Sequence, residues 1–219
     1  MNKKVTNKKP RVFGVLNQKG GSGKTTISLH LASALSNKGH KVLLIDGDPQ
    51  GSARDWLSAR VEDCPFGLVG LDRPIIHKEL PKLASEYDYV VIDGAPRVTD
   101  LTRSAILASD LVLIPIQPSP LDIWASNEIL DLVKEASIYK PSIESAIVIS
   151  RKIINTNIGD ETINLLKEHQ LPILDSIIHQ RIVYAECLKD GRTALETGSN
   201  QTATKEIEQF AAELLKTCI

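Results

Sequence analysis

Seven residues, Lys19-Gly20-Gly21-Ser22-Gly23-Lys24-Thr25, lie between an apolar run, Val12 to Leu16, and a segment of helical spacing. A strand feeding a glycine-rich turn and then a helix confines the chain to a narrow set of folds. Glycines let the backbone turn so that successive N–H groups face one point. The start of the following helix adds its positive dipole, so the turn suits a phosphate group. Lys24 can neutralise terminal phosphates, and the Thr25 hydroxyl can ligate Mg2+. The spacing departs from G-x-x-x-x-G-K-[ST], because Gln18 stands where the first glycine belongs and a second lysine, Lys19, follows it.

The segments around this turn alternate. Val12 to Leu16, Val42 to Ile45, Tyr89 to Ile92, Leu111 to Ile114 and Ala146 to Ile149 are continuous apolar runs, with weaker ones at Gly67 to Leu71 and Ile173 to Ile178. Such runs read as strands buried on both faces of a sheet. Between them, Ile27, Leu31, Ala34 and Leu35 keep helical spacing up to Lys38-Gly39, and further helices are expected at His77 to Tyr87, Thr99 to Ser109, Asp122 to Tyr139, Gly159 to His169 and Thr202 to Thr217. The alternation predicts an α/β fold, a mainly parallel twisted sheet of about seven strands flanked by helices on both faces. Residues 1–11 read as a basic flexible tail and 12–219 as one P-loop domain, a length with room for a buried core.

Bulk properties narrow the function. A net charge of −1 means that contact with nucleic acid needs local basic patches. Cys64, Cys187 and Cys218 are isolated, which argues against a metal site or disulfide framework and for a reducing cytoplasm. No apolar run approaches a membrane span, and the basic N-terminus lacks the hydrophobic stretch of a signal peptide.

Three aspartates fall at the carboxyl ends of predicted strands, where open α/β sheets bind their ligands. Asp46 and Asp48 follow Val42 to Ile45 in Asp46-Gly47-Asp48-Pro49-Gln50-Gly51, and Asp93 follows Tyr89 to Ile92 in Asp93-Gly94-Ala95-Pro96. An acid in that place can act on Mg2+ directly or through its bound water.

The loop, the Asp-x-Asp-Pro-Gln segment and the strand-Asp-Gly-Ala-Pro segment together resemble the ParA family of partition ATPases, the deviant Walker A branch that also holds MinD and the nitrogenase iron protein. Pro115 to Asp122 is similar to small ParA proteins without an N-terminal helix-turn-helix domain. The resemblance implies an ATP-binding set of Lys19, Gly20, Gly21, Ser22, Gly23, Lys24, Thr25, Thr26 and Pro118, with Lys19, Lys24 and Asp48 catalytic. It implies Thr25, Asp46 and Asp93 around Mg2+. Lys24 would contact the phosphates of its own nucleotide, Lys19 those of a dimer partner, and Asp48 would orient the attacking water. Adenine is expected near Pro115 to Asp122 and the end of Ala146 to Ile149, where Arg151 could stack on the ring or be a surface charge.

The same resemblance implies a slow, partner-stimulated Mg-dependent ATPase. Its ATP-bound homodimer would bind non-specific DNA, and a centromere-binding or cargo adaptor protein would trigger hydrolysis. Arg181, Lys189, Arg192 and Lys205 are the candidate DNA contacts. The main reading is plasmid or chromosome partition by a cytoplasmic, nucleoid-associated bacterial protein. The alternative is the same switch positioning a protein cargo such as a carboxysome or chemotaxis cluster. A MinD-type membrane cycle needs a basic amphipathic C-terminal helix, and the polar face of 205–216 is acidic instead. A nitrogenase-type reductase lacks its paired cluster cysteines.

Overall fold

The computed structural model describes residues 9–97, 99–154, 166, 172–198 and 200–217. Strands β1 (Arg11–Val15), β2 (Val42–Asp46), β3 (Gly67–Gly70), β4 (Tyr89–Asp93), β5 (Leu111–Ile116), β6 (Glu144–Lys152) and β7 (Ile178–His179) form one sheet in the order β3-β2-β4-β1-β5-β6-β7. Every neighbouring pair is parallel. β1 is central, with Phe13 opposite both Val91 of β4 and Leu111 of β5.

The helices are α1 (Lys24–Asn37), α2 (Ser52–Ser58), α3 (Ile76–Leu83), α4 (Thr99–Ala108), α5 (Pro120–Tyr139), α6 (Ile182–Lys189), α7 (Ala194–Thr197) and α8 (Gln201–Thr217). They divide the apolar residues into two layers. Phe13, Leu31, Leu44, Val91 and Phe210 pack in one, under α1 and α8. Val12, Ile45, Val90, Ile106 and Ile129 pack in the other, under α3, α4 and α5. Successive strand residues point to opposite faces, so the unbroken apolar runs feed both layers at once. Complete burial of such side chains contributes about 1.5–3 kcal/mol each.

The expected architecture is therefore present, with edges moved by a few residues. The strand expected at Ile173 to Ile178 reduces to an isolated bridge between Ile173 and Ile147 followed by the two-residue β7. The helix expected at Gly159 to His169 lies outside the described residues, apart from Leu166, which is buried in the second layer. Helices α2, α6 and α7 carry too little apolar periodicity to be seen in advance; α7 is a four-residue turn closed by a capping box between Thr193 and Glu196. No helix among the described residues is long and apolar enough to cross a membrane.

Candidate functional site

The loop from Gln18 to Gly23 links β1 to α1 at the centre of the sheet. Gly21 (φ 75°) and Gly23 (φ 94°) both lie in the left-handed region, and Gly23 is the residue that starts α1. A side chain there would be strained, which is why the motif needs glycine at these points. The loop is pinned through its carbonyls. Gln117 Nε2 and a terminal Arg151 nitrogen each donate to the Gly21 carbonyl at 2.9 Å. Ser150 Oγ donates to the Ser22 carbonyl at 2.6 Å, and Lys24 Nζ to the Lys19 carbonyl at 3.0 Å. The N–H groups of Gly20 to Thr25 meet no protein acceptor among the described residues. Carbonyls held from behind and amides left open make a site for an anion.

Lys24 is buried, and burial lowers its pKa against the pull of Asp93 and Asp48. Asp93 is fully enclosed; burial pushes its carboxyl up to about 7, with Asp46 adding to the rise and Thr25, Ser28 and Lys24 opposing it. Ser28 Oγ donates to Asp93 Oδ1 at 3.1 Å, while Asp93 Oδ2 has no hydrogen-bond partner among the described residues. A buried carboxylate oxygen without a donor, next to a buried lysine and Thr25, fits a cation. Among the described residues no three His, Cys, Asp or Glu side chains converge as a ready-made cage. That composition suits Mg2+, which takes one or two protein ligands and draws the rest from phosphate and water.

Asp46 sits opposite Asp93 in the β2–β4 register and is equally buried. Its oxygens are already engaged, Oδ1 by the Asp48 N–H at 3.1 Å and Oδ2 by the Arg54 N–H at 3.0 Å and Arg54 Nε at 3.2 Å. Asp46, expected beside the ion, thus has a structural role in the loop that carries Asp48. Asp48 lies at the edge of the crevice, where its Oδ1 accepts from the Gln50 N–H at 2.9 Å.

The crevice has a volume of about 800 Å³. One end is the loop, with Gly20, Gly21, Gly23, Lys24, Thr25 and Thr26 on its wall; the other is formed by Ser150, Arg151 and residues 178–182, with Tyr184 and Ala185. Pro118, expected in the nucleotide set, is not on this wall; its neighbour Gln117 holds the loop instead. The Pro115 to Asp122 segment turns directly into α5, capped by Ser119, whose Oγ accepts from the Asp122 N–H. Arg151, at φ 53°, is exposed, lies on the crevice wall and donates to the loop.

Arg181 is also on the wall. It was expected on a DNA-facing surface, but Glu206 of α8 draws it inward, accepting from Arg181 Nε at 3.1 Å and from a terminal nitrogen at 2.5 Å. The same carboxylate accepts from His179 Nδ1 at 2.8 Å and Tyr184 OH at 3.0 Å. Burial works against ionising Glu206, yet the hydrogen bonds from Arg181 and His179 hold its pKa below the usual carboxylate value. Lys189 and Lys205 are exposed, and Arg192 pairs with Asp190 at 3.4 Å.

Lys19 Nζ lies 2.8 Å from Asp122 Oδ2 of its own chain, a buried acid that also accepts from Ser119 Oγ. Leu121 and Trp124 beside it are about two-thirds exposed (68% and 67%), whereas Trp56 packs on Phe66 inside the fold. Gln117, Ser150, Asp122, Arg54 and Glu206 are the site residues that sequence reasoning passes over. For Gln117 and Asp122 the signal was their place in the segment after β5, and for Ser150 its place directly after Ile149; Arg54 and Glu206 had none.

The family model described as the CobQ/CobB/MinD/ParA nucleotide binding domain matches residues 13–194. A "Maintenance of carboxysome distribution protein A" from Gloeobacter kilaueensis is 31% identical over 210 residues, covering 94% of this chain and 94% of that protein. A protein of the same description from Halothiobacillus neapolitanus is 27% identical over 215 residues, covering 96% and 99%. Among solved structures, a putative plasmid partition protein from Borrelia burgdorferi bound to AMPPNP superposes with a TM-score of 0.75 at 25% identity, covering 95% of this chain and 100% of that one.

Proposed function

The chain belongs to the CobQ/CobB/MinD/ParA nucleotide-binding family, and from that membership we propose that it is an ATP-driven positioning ATPase whose cargo is a large protein assembly of the carboxysome kind. The observation that carries the cargo half of this reading is the end-to-end similarity to the two carboxysome-distribution proteins. The ATPase half is supported by the open amides of the loop, the buried Lys24 and the unpartnered Asp93 oxygen.

In this reading the amides of Gly20 to Thr25 and Lys24 hold the nucleotide phosphates, and Thr25 and Asp93 hold Mg2+. When bound, the ion neutralises charge that builds on the phosphates. Asp48 orients the attacking water, and Asp46 supports the Asp48 loop. Catalysis of this kind is positioning and charge stabilisation, with no covalent intermediate. Lys19 reaches the partner's phosphates only when two subunits close, so ATP couples to dimerisation. To do so it must first leave Asp122. The dimer would then bind non-specific DNA as its track, and an adaptor on the cargo would trigger hydrolysis.

The test pairs a solution measurement with a cellular one. Sedimentation with Mg-ATP should give a dimer for the wild type and a monomer for Lys19→Ala, with duplex DNA carried along by the dimer in a salt-sensitive way. Deleting the gene should make a protein cargo cluster while plasmids are retained. Plasmid partition is the second reading, favoured by the Borrelia structure. It would replace the first if deletion caused plasmid loss and left protein assemblies evenly spaced. A chain that stays monomeric with ATP would end both.

A further inference from the structure

Arg54 stands in the first turn of α2 and gathers the acidic loop around itself. Its Nε donates to Asp46 Oδ2 at 3.2 Å, and one terminal nitrogen donates to the Asp48 carbonyl at 2.9 Å and to Asp72 Oδ2 at 3.2 Å. Asp46 is fully buried while the Arg54 side chain is 39% exposed, so the guanidinium closes the outer end of an enclosed acid. A charge buried to this degree is stable only with its partner in place.

The fold makes room for this side chain. A Cβ on Gly51 would meet two guanidinium nitrogens at 3.1 Å, and a Cβ on Gly70, at the end of β3, would meet Arg54 Cδ at 2.9 Å. Two glycines on separate elements therefore leave the space that the arginine fills.

The consequence falls on Asp48. Its N–H is held by Asp46 Oδ1. Its carbonyl accepts from the Gly51 N–H at 2.9 Å and from Arg54. Arg54 thus grips the residue from its carbonyl side and, through Asp46, from its amide side. We propose that Arg54 is the positioning residue of Asp48, fixing the backbone from which the Asp48 carboxylate projects into the crevice. The planar fork matters, because a point charge cannot serve Asp46 and the Asp48 carbonyl together. The proposal rests on the reading of Asp48 as the water-orienting acid.

The test compares full-length wild type with Arg54→Ala, Arg54→Lys and Gly70→Ala, the last of which displaces the guanidinium without removing it. Three quantities are read: amide exchange over residues 46–54 without nucleotide, the dissociation constant of a fluorescent ATP analogue, and kcat and KM for Mg-ATP. All three variants should raise exchange in the loop, lower kcat about tenfold or more, and leave nucleotide affinity and KM within about threefold. Arg54→Lys should keep the wild-type melting temperature and still lose kcat. Loss of kcat, affinity and melting temperature together, in Gly70→Ala and Arg54→Lys alike, would reduce Arg54 to a structural brace. A loosened loop with unchanged kcat would also overturn the proposal. A wild type that binds Mg-ATP without hydrolysing it would instead overturn the reading of Asp48, and this inference with it, while the exchange data would still report whether the clamp exists.

Discussion

The two ends of the crevice are built by opposite means. The phosphate end of the proposed reading is a contiguous loop, Lys19 to Thr25, whose backbone amides are open and whose shape is set by two left-handed glycines. The far end is assembled from side chains remote in sequence: Arg151 at the end of β6, His179 and Arg181 around β7, and Glu206 on α8 that holds the last two. One end is a motif and the other a convergence. A backbone site presents the same amides whatever the neighbouring side chains are, whereas a side-chain site exists only once the C-terminal helix has docked.

The largest expected effect attacks the phosphate end. Lys24→Ala removes the buried charge closest to the loop and should lower kcat by about a thousandfold in a Mg-ATP hydrolysis assay, in line with the loss of a preorganised charge stabiliser. Retention of a tenth of the activity would mean that the loop amides suffice by themselves.

His30 ties the start of α1 to α7, donating from Nδ1 to the Thr26 carbonyl at 2.7 Å and accepting the Ala194 N–H on Nε2 at 3.1 Å. Burial lowers its pKa from 6.5 to about 4. The folded state therefore excludes a proton that the unfolded chain takes up below 6.5. Stability from this group is complete above pH 6.5 and declines as pH falls towards 4, by about 3 kcal/mol in all. Asp93, raised to about 7, acts with the opposite sign over an overlapping window. The wild-type curve therefore mixes opposing contributions, and comparison with a variant isolates that of His30. Urea unfolding of wild type and His30→Asn at pH 7 and pH 4 should show the wild-type advantage shrinking by about that amount, and a constant difference would refute the assignment.

Glu206→Ala sharpens the comparison most directly. It frees His179, Arg181 and Tyr184, and should weaken ATP binding about tenfold while pyrophosphate affinity changes less than twofold, as read by calorimetry. Equal losses for both ligands would show that the two ends are not separable. The smallest effect is expected from Pro118→Ala, which should leave ATP affinity within about twofold because the residue lies off the crevice wall.

The same contrast explains what could be read in advance. Lys24 and Thr25 stand out in the sequence because they close the glycine-rich loop, and Asp48 and Asp93 because they fall at or just past the ends of β2 and β4, where parallel sheets place ligands. The apolar runs located β1, β2, β4, β5 and β6 to within a few residues, since burial on both faces leaves little room for polar interruption, while the half-exposed β3 gave a weaker signal. The pairing of Arg181, expected as a DNA contact, could not be read in advance, because nothing near it in sequence announces Glu206, twenty-five residues on. Arg54 was passed over for a related reason: its partners Asp46 and Asp72 flank it at a distance, and the space it occupies depends on missing side chains at Gly51 and Gly70. Absent atoms leave no pattern in a sequence.

The central position of β1 has a consequence for how the molecule is made. Phe13 pairs with Val91 on one side and Leu111 on the other, and β1 has no partner nearer in the chain. During synthesis, at ~5–20 residues per second, the first strand therefore waits on the order of ten seconds for both neighbours to emerge. Closing so long a loop is slow before it is rewarding. Val12, Phe13 and Val15 are completely buried in the finished sheet but have nothing to pair with in that interval. The strand that carries the phosphate loop is thus the first to be made and the one that waits longest for both its neighbours, so the nascent chain is most exposed to wrong partners at the segment on which its activity depends.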